Sequence, residues 1–155
     1  MVTSPNFPNE YPKSLDMTQM IQVEEGMLIE IEFTAFETEH SYYSEYNYQS
    51  TYFEYNFGIL WCYDHFDHLR IEDGDGSSLM DKTCGSSDEE IISGDNGQSI
   101  GANLPPNTLS KTNVVKFIFK SDGYDDEDNG VGGSRGGWSA SWRAVSPPGE
   151  CQHQP

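Results

Sequence analysis

Carboxylates are the side chains of this chain with the most chemistry to offer, and they cluster. FKSDGYDDEDNG, residues 119 to 130, holds Asp122, Asp125, Asp126, Glu127 and Asp128. Like charges this close repel, so either water solvates them on a loop tip or a cation gathers some of them. A hard cation such as Ca²⁺ takes about 6–8 oxygen ligands, from carboxylates, carbonyls and water. An EF-hand loop does not fit: counting from Asp125, Gly130 takes the sixth place, but the twelfth is Gly136 rather than Glu. Other chemistries find less support. His40, His65, His68 and His153 make no zinc pattern. His65 and His68 are three apart at a strand entry, so they should face opposite sides and be exposed. There is no C-x-x-C pair and no G-x-S-x-G nucleophile turn. Paired-carboxylate catalysis would draw on the same acids, which a bound cation uses more economically.

The composition sets the partners. Lys and Arg total 8 against 26 Asp and Glu, a formal charge of −18. A nucleic-acid binder needs a positive footprint, and so does docking on anionic lipid. The balance favours basic partners and hard cations. No apolar run approaches the roughly 20 residues of a membrane span. The opening MVTSPNFPNEYP lacks an apolar core and predicts no signal peptide. With 35% hydrophobic and 13% aromatic residues, the 155-residue chain can build one cored domain. No Asn is followed two places on by Ser or Thr, so no N-glycosylation acceptor exists.

The elements that must carry the acids are strands. In LIEIEFTAF, Ile29, Ile31 and Phe33 alternate with Glu30, Glu32 and Thr34. Leu69 and Ile71 alternate in HLRIED, as do Val115, Phe117 and Phe119 in NVVKFIFKS, and Trp138, Ala140 and Trp142 in WSASWRA. Period two with one dry face reads as antiparallel sheet. Shorter strands are expected at 20–23 and 98–103, and no amphipathic helix is visible. Gly and Pro clusters separate the runs, and DGDG at 73–76 reads as a hairpin turn. The pattern predicts an all-β antiparallel sandwich or jelly roll. Residues 40–61 and 123–137 are longer than such a sandwich needs. Residues 147–155 read as a linker or the start of a following segment, which leaves 1–146 as the domain.

Six fragments, in order, resemble CUB domains. TSPNFPNEYPKSLD is similar to the family's S-P-N-(Y/F)-P entry with its later Y-P. IEIEFTAFETE is similar to its second long strand, FDHLRIEDG to D-Y-L-E-I-x-D-G, and the Cys84–Gly85 pair to its fourth cysteine. FIFKSD matches F-x-S-D, and GGWSASW resembles G-F-x-A-x-Y. The resemblance spans about residues 3 to 144 and implies a jelly-roll-like CUB fold with two lengthened loops. The family's first disulfide has no counterpart: Met17 stands at its second cysteine, the first would fall at or before the chain start, and Gln19 replaces its Trp. Its second disulfide would be Cys62–Cys84. Such a bridge is worth about 3 kcal/mol in the loop-entropy model and implies an oxidising, extracellular setting. Cys151 has three possible fates: a bond to a following domain, a bond to another chain, or none.

The resemblance also implies a calcium site. Carried over residue by residue, its carboxylates are Glu39, Asp67 and Asp122, with Gly123 and Asp125 able to complete the shell. Asp64 competes with Asp67 on spacing from Cys62, but Asp67 shares the phase of Leu69, Ile71 and Asp73, and Asp64 does not. By the same resemblance the domain is a non-catalytic recognition module of a secreted or cell-surface protein. Asp67 and Asp122 would offer spare oxygens to a partner's Lys or Arg, with Tyr63 and Phe66 as apolar neighbours. Two alternatives remain. Tyr42 to Phe57, rich in Tyr, could bind carbohydrate or matrix instead of extending the core. The domain could also accompany a secreted metalloprotease.

Overall fold

A computed structural model of the protein describes residues 1–38, 67–85, 91–93, 98–99, 104–121 and 136–148. Among these the chain forms ten strands and no helix: β1 (Val2–Thr3), β2 (Asp16–Gln22), β3 (Leu28–Glu37), β4 (His68–Asp73), β5 (Ser78–Gly85), β6 (Ile91–Ser93), β7 (Gln98–Ser99), β8 (Thr108–Leu109), β9 (Val114–Lys120) and β10 (Gly137–Val145). They build a four-stranded sheet, β1-β10-β3-β8, and a six-stranded sheet, β2-β9-β4-β5-β6-β7. Every described pairing is antiparallel. The expected β-sandwich is the observed fold.

Alternation decides which side chains meet between the layers. Ile29, Ile31 and Phe33 of β3 and Val115, Phe117 and Phe119 of β9 are all buried. Trp138, on the four-stranded sheet, crosses the interior to the six-stranded one. It stacks on Phe117 at 5.6 Å and 11°, and meets Phe119 edge-on at 5.8 Å and 84°. These ring contacts lock the two layers together and give the core a unique packing.

Local chemistry explains the departures from simple alternation. Between β3 and β10 the register shifts at Ser139/Ala140, so Ala140 faces Phe33 where Thr34 would continue the count. The extra residue turns the inward phase from Phe33 to Phe36, and both are buried. β5 went unread in the sequence because its pairing with β4 is interrupted by two register shifts, which scramble period two. β2 starts at Asp16, ahead of the expected 20–23, because its half-buried inward positions include the polar Gln19. Gln19 Nε2 donates to Thr3 O at 3.4 Å and so ties β2 to β1 across the two sheets. Met17 packs against the core beside it. A hydrogen bond and a thioether thus stand where the family's first disulfide is missing.

The turn at 73–76 closes as a hairpin turn does: Asp73 N donates to Ser77 O at 2.8 Å and Gly76 N to Asp73 O at 3.0 Å. Gly137 opens β10 at φ 93°, and a Cβ there would overlap Ser4 Oγ. Only glycine fits, because Ser4 is buried and its Oγ accepts from Trp138 N at 3.0 Å.

His68 corrects an expectation. It is 3% exposed, not solvated. On β4 it pairs with Lys120 of β9, and it is buried although Arg70 and Glu72, which share its alternation phase, are half-exposed. His65 lies outside the described residues.

Candidate functional site

The end of β3, the start of β4, and the ends of β5 and β9 gather at one end of the sandwich, where β10 begins. Thr38 fixes the first of these. Its amide donates to Gly85 O at 2.7 Å, and its Oγ1 accepts from Gly85 N at 3.1 Å. Thr38 is fully buried, as is Cys84 beside Gly85. Cys84 is disulfide-bonded, to a partner outside the described residues.

Ser121 fixes the end of β9. Its Oγ donates to Pro12 O at 2.7 Å and accepts from Leu15 N at 2.9 Å, and its amide donates to Leu15 O at 2.9 Å. These bonds clamp the segment before β2 onto the strand end. The last ladder pair between β4 and β9 is His68 with Lys120. Asp67 and Ser121 therefore stand side by side, one residue beyond it.

Asp67 keeps the inward phase read from the sequence. Asp67, Leu69, Ile71 and Asp73 are all at most 1% exposed. An ionised carboxylate buried this deeply loses its hydration and needs donors or a cation in exchange. Tyr11 supplies one donor: its hydroxyl lies 2.6 Å from Asp67 Oδ2. The Tyr11 ring is itself held edge-on to Phe119, with centroids 4.8 Å apart. The hydroxyl is thus aimed by packing and not by loop chance. Spacing along the chain gives no sign of this partner, 56 residues away.

Asp73, at the other end of β4, shows what a purely structural buried acid looks like. Its Oδ1 accepts from Gly74 N at 2.8 Å and Thr112 Oγ1 at 2.6 Å, and its Oδ2 accepts from Lys111 N at 2.7 Å. Those donors pin the β4–β5 turn to the loop before β9. Asp73 is a clamp between these two segments.

The remaining expected site residues lie outside the described ones: Glu39, directly after Thr38; Asp122, directly after Ser121; and Gly123, Asp125, Tyr63, Phe66 and Cys62. So do Asp64 and the Tyr-rich stretch. Among the described residues no three His, Cys, Asp or Glu side chains gather as metal ligands do. Asp67 fits a hard cation by its chemistry: an anionic oxygen donor at a sandwich end, with its orientation fixed.

Comparison with known proteins now decides the family. The CUB domain model matches residues 1–98. The chain belongs to the CUB domain family. Human cubilin is 31% identical over 146 residues, which is 93% of this chain and 3% of cubilin. This CUB chain thus spans a small part of that relative. In fold it is similar to the CUB1-EGF-CUB2 region of human MASP-1/3, at 23% identity and TM-score 0.60, covering 97% of this chain and 42% of that one. It is likewise similar to the full extracellular region of zebrafish Gpr126/Adgrg6, at 23% identity and TM-score 0.55, covering 94% and 13%. Among the described residues no helix is long and apolar enough to cross a membrane.

Proposed function

We propose that this CUB domain is an extracellular calcium-binding module that recognises a protein partner through exposed Lys or Arg side chains. The carrying observation is Asp67, an inward carboxylate 1% exposed at the sandwich end, oriented by the Tyr11 hydroxyl at 2.6 Å. Glu39 and Asp122 supply further carboxylates, and Gly123 and Asp125 supply further oxygens. Bound Ca²⁺ supplies the positive charge that lets several carboxylates share one site.

Each residue has a part. Thr38 and Ser121 hold the strand ends that lead into Glu39 and Asp122. Asp67 acts beneath the surface, since its burial leaves little of it for a partner. Asp122, next along from Ser121, turns a spare oxygen to the partner's ammonium or guanidinium, in a charge-assisted hydrogen bond. Tyr63 and Phe66 flank that contact with apolar area. The acidic excess, −18 overall, steers a basic partner toward the domain. The role is one of binding, without catalysis.

The extracellular assignment rests on the Cys84 disulfide, whose expected partner is Cys62, because such bonds persist in oxidising compartments. The likeness to an extracellular region supports it.

A test uses a short peptide with one lysine among neutral residues, at physiological ionic strength. It should bind in calcium and be lost in chelator, and Asp122→Ala should abolish binding in calcium. Equal binding in calcium and chelator would overturn the reading.

A further inference from the structure

Among the described residues Asp precedes Gly twice, at Asp73–Gly74 and Asp75–Gly76, and both pairs lie where β4 turns into β5. An Asp-Gly pair carries a reaction of its own. With no Cβ on the second residue, its amide nitrogen can swing unhindered onto the aspartate Cγ. The two pairs share this chemistry and differ in how the fold holds them.

Asp73–Gly74 is closed to it. Asp73 is 1% exposed, and its carboxylate accepts from Gly74 N, Thr112 Oγ1 and Lys111 N. Gly74 N also lies 3.1 Å from Thr112 Oγ1, and a Cβ on Gly74 would meet that oxygen at 2.6 Å. Three bonds fix the Asp73 side chain, and Thr112 leaves Gly74 no room to turn.

Asp75–Gly76 is open. Both residues are exposed, and a Cβ on Gly76 would meet nothing within 4 Å. Gly76 N is tied to Asp73 O at 3.0 Å. The Asp75 carboxylate is hydrogen-bonded through one oxygen to one residue: Oδ1 accepts from Ser77 N at 2.9 Å and from Ser77 Oγ at 2.6 Å. Both bonds hold the carboxyl on Ser77, away from the amide that would attack it.

We propose that Asp75–Gly76 is a site of spontaneous backbone isomerisation, and that Ser77 is the residue that restrains it. When the turn opens locally, Gly76 N attacks Asp75 Cγ. The N–C bond forms, a C–O bond of the carboxyl breaks, and one water leaves with the Gly76 amide proton. The product is a cyclic imide, which water then opens. Attack at the former side-chain carbonyl restores Asp. Attack at the main-chain carbonyl routes the chain through Cβ and Cγ and leaves the α-carboxylate free, as isoaspartate. No oxidant or cofactor takes part, and the mass is unchanged. The added backbone methylene would break the bond from Gly76 N to Asp73 O and loosen the hairpin end. This site does not depend on the calcium reading.

Folded protein and protein unfolded in urea are aged side by side at the same mildly acidic pH, then digested with trypsin. The peptide Ile71–Lys82 carries both pairs, and the chain's other Asp-Gly and Asn-Gly pairs fall in other peptides. Electron-transfer fragmentation locates isoaspartate within it. In urea both pairs should isomerise at similar rates. In the folded protein isoaspartate should build up at Asp75 and stay absent from Asp73, which also serves as the internal control for global unfolding. Ser77→Ala should speed the folded-state reaction at Asp75 by about fivefold or more, the effect of one lost hydrogen bond, and leave the rate in urea unchanged. Isoaspartate at Asp73 as readily as at Asp75, none at Asp75 while the urea sample reacts, or a Ser77→Ala variant that reacts at the wild-type rate would overturn the proposal.

Discussion

The Tyr11 hydroxyl donates to Asp67 Oδ2 at 2.6 Å, across 56 residues of chain, and both side chains are buried. Tyr11→Phe removes that donor and leaves the ring packing on Phe119. It should cost about 1–3 kcal/mol in denaturant unfolding. As a loss of ligand orientation it should also weaken calcium binding by about tenfold or more. Isothermal titration of wild type and variant checks the second effect. An unchanged calcium affinity would show that Tyr11 serves the fold alone.

Asp73 separates structural acids from ligands. Asp73→Asn cannot keep all three of its donors paired and should cost about 2–3 kcal/mol. The loss should be the same in calcium and in chelator, because the clamp lies at the far end of β4. Urea melts under both conditions measure this. A calcium-dependent loss would place Asp73 in the site.

Much of this was legible in the sequence, and the reason is period two. β3, β4, β9 and β10 declare their buried faces by alternation, and the same phase places Asp67 inward. What was hidden depends on tertiary contact. The β3 bulge brings Phe36 inward against the count. β5 is broken by register shifts, and β1, β6, β7 and β8 are too short to show a period. His68 is buried although it shares the phase of the half-exposed Arg70 and Glu72, which the local spacing does not record. The Tyr11–Asp67 bond belongs to the same class. Glu39, Asp122, Gly123 and Asp125 rest on the sequence and the family.

Trp138 carries the core and a cost. Its Nε1 is buried without a hydrogen-bond partner. A desolvated, unpaired donor is unfavourable by about 1–3 kcal/mol. Trp138→Phe gives up ring area but removes that donor, so its net cost should stay within about 1.5 kcal/mol. Trp138→Ala should cost about 3–5 kcal/mol. Comparable losses for the two would mean that the indole N–H is satisfied in solution.

Gly137, at the site end, leaves no room for a side chain. Gly137→Ala combines φ 93° with overlap on Ser4 Oγ and should cost about 3 kcal/mol or more. Gly76→Ala, where φ is 91° but a Cβ would meet nothing within 4 Å, should cost less. The ranking is read from thermal melts, and a reversed order would contradict the packing described around Ser4.

Asp75 sets a small acid-side dependence. The Ser77 hydroxyl, then the Ser77 amide, hold its carboxyl below the ordinary value of 3.8. A depressed folded-state value means the contribution is present above the unfolded pKa and lost as pH falls through the folded one. Ser77→Ala should raise the Asp75 titration toward 3.8, as followed by its carboxyl carbon shift. A titration that does not move would exclude the Ser77 hydroxyl as the cause.

The central claim is that Asp67 binds calcium, and melting temperature against calcium concentration tests it most directly. At a hundredfold excess over Kd, ligation should stabilise the wild type by about 2.7 kcal/mol, or roughly 5–10 °C for a domain of this size. Asp67→Asn should fold in chelator and melt at a temperature that calcium no longer moves. A wild type that melts at the same temperature in calcium and chelator, or an Asp67→Asn variant that keeps the full calcium shift, would contradict the account.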